Sequence, residues 1–201
     1  FELKNLVLVG SPSSHGDIKL SLPDAYKTLA KQNSDVFLGG VTIAERHASK
    51  RNEHERLVEK TAQGCKFFIS QAVYNAQATI DLITSYARSC KAQGTAPKRI
   101  ILTFTPCGGE KTLEFMEWLG ISVPEATKYR MLDSANTLSE SVRICRENLD
   151  LILQSCAHLD VPLGLNIESL TNRKEEIDAS INLYRLLKAT MELNLAEKQI
   201  A

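Results

Sequence analysis

Short apolar runs alternate with longer stretches of helical periodicity along this chain, and that alternation restricts the fold more than any other feature. Residues 5–10 (NLVLVG), 36–43 (VFLGGVTI), 66–71 (KFFISQ), 99–105 (RIILTFT) and 163–169 (LGLNIES) read as strands. Between them lie helical patterns. One is opened by Pro23 and carries Ala25, Leu29 and Ala30 on one side. A second, over 53–63, turns Leu57, Val58 and Thr61 to one face and stops at Gly64. Further helices are expected over 76–93, closed by Gly94, and over 111–119, closed by Gly120. A short one follows Pro124. A long one begins at Ser134 or Asn136 and runs to His158, and a terminal one spans 173–195.

Strand and helix alternate five times with few signals for tight hairpins, the pattern of βαβ units and a parallel sheet. No G-x-G-x-x-G follows the first strand, so the dinucleotide-binding open sheet loses its main support. The strand ends favour a (β/α)8 TIM barrel, with about five βα units visible in a single domain over residues 1–201. Each run finishes in chemically useful side chains: Gly10 and Ser11 with Ser13, Ser14 and His15; Thr42 with Glu45, Arg46 and His47; Ser70, Gln71 and Tyr74; Thr103, Thr105 and Cys107; Asn166, Glu168 and Ser169. In a barrel these ends meet on one face. The Gly39-Gly40 pair predicts a bulge or a close backbone approach.

Lysine plus arginine and aspartate plus glutamate number 24 each, so bulk charge gives no indication of a nucleic-acid or membrane partner. The five cysteines are odd in number and contain no C-x-x-C pair, which argues against a disulfide framework and a structural zinc site. They read as reduced core thiols of a cytoplasmic protein. No stretch is apolar enough to span a bilayer, and no signal-peptide pattern opens the chain.

The segments GGVTIAERH and ERLVEKTAQGCKFFISQAVY resemble the central barrel segment of the methylenetetrahydrofolate reductase family, in its divergent reductase-like branch. The segments RIILTFTPCGGEKTLEFMEWLGISVPE and LGLNIESLTNR continue the likeness, whose specific part is residues 39–74. The resemblance implies an oxidoreductase of one-carbon folate metabolism that passes a hydride from NAD(P)H, through FAD, to 5,10-methylenetetrahydrofolate. It implies that Gly10, Thr42, His47 and Lys60 border the flavin, with Lys60 directed at its phosphate, and that Gln71 and Tyr74 meet the folate. Lysine suits phosphate as a point charge, and a glutamine amide can match the mixed donor and acceptor edge of a heterocycle.

The chain also departs from the family. The flavin-gripping Arg-Gly-Asp turn is replaced by Val9-Gly10-Ser11, and the aromatic residue expected after the proline turn is missing from Cys107-Gly108-Gly109-Glu110. The resemblance places the early strands, with the family's catalytic glutamate, upstream of Phe1, so no catalytic residue is assigned. The alternative is a non-catalytic folate- or flavin-binding barrel serving a methyl-transfer system, closed as a homo-oligomer or by a partner chain. A weaker third reading is another flavin-linked barrel of the proline dehydrogenase type. Among single residues, Glu168 is a weak acid/base candidate if buried. Cys107 is expected to be a core thiol, and Glu175-Glu176 a solvated first helical turn.

Overall fold

The computed structural model describes residues 4–10, 20–32 and 36–200. They form β1 (Asn5–Leu8), α1 (Leu22–Lys31), β2 (Phe37–Thr42), α2 (Ala44–Lys50), α3 (Glu53–Ala62), β3 (Phe67–Ala72), α4 (Ala76–Ala92), β4 (Arg99–Phe104), α5 (Glu110–Trp118), α6 (Glu125–Leu132), α7 (Thr137–Ser155), β5 (Leu163–Ile167) and α8 (Lys174–Ile200). All five strands are parallel and lie in chain order, β1-β2-β3-β4-β5. A monotonic order is what a barrel wall has. In the doubly wound sheet the order reverses at a switch point. The described chain is an α/β fold compatible with a barrel-type sheet.

Parallel strands need crossovers, and here helices supply them and cover the sheet. Helices α3, α4, α7 and α8 follow one another around it, each against the next, with α2 wedged against α3 and α4. The core between layers is built from Leu57, Phe68, Ile83, Tyr86, Leu102, Leu149, Leu183 and Leu187, all shielded from solvent. Helix starts follow the expected chemistry. Asn75 accepts from the Ala78 N–H and Asn136 from the Ser139 N–H, and Ser21 accepts from Asp24 ahead of a proline in the first turn.

The glycine pair of β2 provides close approach, with no break in the β1 or β3 register beside it. A Cβ on Gly39 would fall 2.5 Å from the Phe67 ring, and one on Gly40 would meet Tyr26 Oη at 3.1 Å. The irregularity of the sheet lies instead between β3 and β4, where the register shifts between Ile69 and Ala72. There Ser70 reaches across and accepts the Thr103 N–H at 2.9 Å. All five cysteines are buried. Among the described residues, no helix is long and apolar enough to cross a membrane.

Candidate functional site

The carboxyl ends of β1, β2 and β3 border a cleft of about 750 Å3. Its apolar wall is Leu8, Val9, Leu22, Val41, Ile43 and Leu119, and its polar groups are Glu45, Arg46, Ser49, Arg56, Lys60 and Gln71. A volume in the range of roughly 300–1,000 Å3, apolar with a few convergent polar groups, is that of a small-molecule site. Three cations against one carboxylate make the cleft complementary to an anion.

Gln71 ends β3 and is half-buried on the cleft floor. A carbonyl can only accept, so its amide nitrogen must face the Leu119 carbonyl, to which it donates at 3.1 Å. That fixes the amide, and Oε1 is left out of solvent with no hydrogen-bond partner. An unpaired buried acceptor costs about 1–3 kcal/mol, which a ligand N–H donor would recover once the amide turns its oxygen into the cleft.

Lys60 extends from α3 under β2, 9% exposed, and donates to the Val41 carbonyl. Burial lowers its pKa below the usual lysine range, and the nearby Glu53 carboxylate opposes that shift. Glu53 is fully buried two turns earlier on the same side of α3; its Oε1 accepts the Ile43 N–H at 3.2 Å and the Thr42 hydroxyl at 3.4 Å. Its other oxygen lies 3.8 Å from Arg56 Nε. Glu53 thus ties the end of β2 to α3 and sets Arg56 at the cleft. Burial also raises the Glu45 carboxyl above its usual range.

The six residues assigned from sequence divide into two groups. Gly10, Lys60 and Gln71 come together on the cleft. Thr42, His47 and Tyr74 do not line it. The Thr42 hydroxyl is used by Glu53. His47 turns to the outer helical layer, where Nε2 meets Ser85 Oγ at 3.1 Å and Nδ1 lies 3.4 Å from His54 Nδ1; burial lowers its pKa first, and His54 adds to that. Tyr74 points into the core, 2% exposed, and its hydroxyl donates to the Thr105 carbonyl at 2.7 Å. Ser11, Ser13, Ser14 and His15 lie outside the described residues.

Other expectations change as well. Glu168 is exposed and accepts from Asn166 at 2.8 Å, so it is no interior acid. Glu176 is not a solvated first-turn residue but 2% exposed, and it accepts from the Thr112 hydroxyl at 2.8 Å. Cys107 is buried as expected, its thiol directed at the Gly109 carbonyl. Arg56 was missed. Its spacing of four from Lys60 on one helix was the available signal.

No family model matches the chain, and no curated protein matches it. Among solved structures, an uncharacterized protein from Clostridium thermocellum that binds two copies of 5-methyl-5,6,7,8-tetrahydrofolic acid superposes with a TM-score of 0.82 and 40% sequence identity. The likeness covers 92% of this chain and 63% of that one, so this chain spans less than two thirds of its relative's length and shares its fold over nearly all of its own.

Proposed function

We propose that this protein binds a reduced folate in the cleft at the ends of β1, β2 and β3. The observation that carries the reading is Gln71, whose donor is committed to Leu119 and whose buried acceptor is unpaired beside an apolar wall. A pterin ring offers amide and amino N–H donors to such an acceptor. The glutamate tail of a folate supplies carboxylates for Arg46, Arg56 and Lys60. The folate-binding relative, alike over nearly the whole of this chain, supports the same ligand class.

Isothermal titration with 5-methyltetrahydrofolate tests the reading. Saturable binding is expected, weakened about tenfold by Gln71→Leu through loss of one buried hydrogen bond. Absence of binding by the unaltered protein, or equal affinity in Gln71→Leu, would overturn it.

The family resemblance extends the proposal to hydride transfer from NAD(P)H to methylenetetrahydrofolate. In this version the diphosphate of a flavin, in place of the folate's carboxylates, would take Arg46, Arg56 and Lys60 against the wall of Leu8, Leu22 and Leu119, with the pterin kept at Gln71. A flavin bound there would supply the hydride relay. Nicotinamide oxidation that requires both FAD and methylenetetrahydrofolate is the expected result. Folate binding without any such turnover would leave folate carriage, in a methyl-transfer system, as the function.

A further inference from the structure

On the outer layer, away from the cleft, His47 of α2 and His54 of α3 face each other over α4. Their Nδ1 atoms are 3.4 Å apart, and the rings meet edge to face at 87°. That separation is long for a hydrogen bond. It equals the edge of a tetrahedron with metal–nitrogen bonds of 2.0–2.1 Å, about 3.4 Å. The second nitrogen of His47 is held by Ser85 Oγ at 3.1 Å, which fixes the ring with Nδ1 directed at His54. A ligating imidazole is commonly held this way through its other nitrogen. Asp81 stands one helical turn before Ser85 on the same side of α4. Its charge acts on His47, as does that of Glu53, and both favour a cation, while Arg51 opposes one.

Among the described residues, no three His, Cys, Asp or Glu side chains converge on a ready-made metal site. The arrangement offers two placed imidazoles and a carboxylate that is exposed and shared only with Gln77. We propose that His47 and His54 are the core of a zinc-type transition-metal site on the outer face of α2, α3 and α4, with Asp81 swinging in as third ligand and water completing the tetrahedron. Neutral imidazoles and a carboxylate suit zinc-like ions. Because α2 also carries Arg46 and Ser49 of the cleft wall, the ion would pin the helix bordering the cleft. The inference does not depend on the ligand of that cleft.

Cobalt(II) titration of metal-free protein tests it. One equivalent is expected to bind with the visible absorption of a tetrahedral ion, displaced by Zn2+. His54→Ala and His54→Gln, at a half-buried position that leaves the core intact, should abolish the band. Asp81→Asn should weaken binding, and Ser85→Ala should do so by about tenfold. No saturable uptake, an unchanged spectrum in both His54 variants, or a thiolate-to-cobalt band from the cysteines would overturn the proposal.

Discussion

Gln71 and Tyr74 are three residues apart in one apolar segment, yet one faces a ligand cleft and the other is enclosed in the core. The sequence shows both as polar groups at the end of a buried strand. Side chains three apart on an extended segment point to opposite faces, so the period of two separates them, but which face meets a cleft and which the core is decided by the elements packed on either side. Lys60 was legible because a lysine on a helix, four residues before a capping glycine, keeps its place whatever the neighbouring helices do. His47 was not, because its direction depends on α2, a seven-residue helix with no apolar stripe. The Tyr74 hydroxyl shares the Thr105 carbonyl with the Cys145 thiol, 3.5 Å away, and burial pushes that thiol up to about 12. Tyr74→Phe should therefore cost about 1–3 kcal/mol of stability in urea unfolding, since a buried carbonyl keeps only a weak thiol donor. Folate affinity should stay unchanged; a loss of affinity with no loss of stability would return Tyr74 to the binding site.

At the scale of elements, the strands and long helices were readable from pattern because each carries its own signal, strand runs of four to six residues or a capped amphipathic face. The clasp between α6 and α7 was not, since it joins charges ten and seventeen residues apart. Arg130 donates to Glu140 at 2.6 Å and, through both terminal nitrogens, to Glu147 at 2.6 and 2.9 Å; Arg143 closes on Glu140 from the other side. Arg143, followed by Arg130, holds the Glu140 carboxyl below its usual range. A carboxyl whose folded pKa is depressed contributes stability that is complete above the unfolded value, near 4.3, and is lost as pH falls through the folded value. Urea midpoints measured from pH 7 down to pH 3 should fall below about pH 4.5. Glu140→Gln should lower the neutral-pH midpoint and flatten that part of the profile. An unaltered slope in Glu140→Gln would show that other carboxylates control the acid limb.

For the whole molecule, the sheet gives the cleft its character. Consecutive parallel strands bring residues from Leu8 to Gly120 to one rim, so the site exists only when β1, β2, β3 and the α5 end are assembled together. Alternation along the sequence implied a parallel sheet, and the strand order that the structure adds is what puts Lys60 and Gln71 beside Leu119. At the far end of the sheet, every residue of β5 is half-buried, because only β4 pairs with it among the described residues. A ligand that binds such an assembled site, and not the unfolded chain, must stabilise the fold by mass action. At a hundred times its dissociation constant it adds about 2.7 kcal/mol. For a domain of this length, each kcal/mol moves the melting temperature by roughly 2–4 °C, so a rise of roughly 5–10 °C is expected with saturating 5-methyltetrahydrofolate. Gln71→Leu should need about ten times more ligand for the same rise. A melting temperature indifferent to the folate at every concentration would show that the cleft is not where a folate binds.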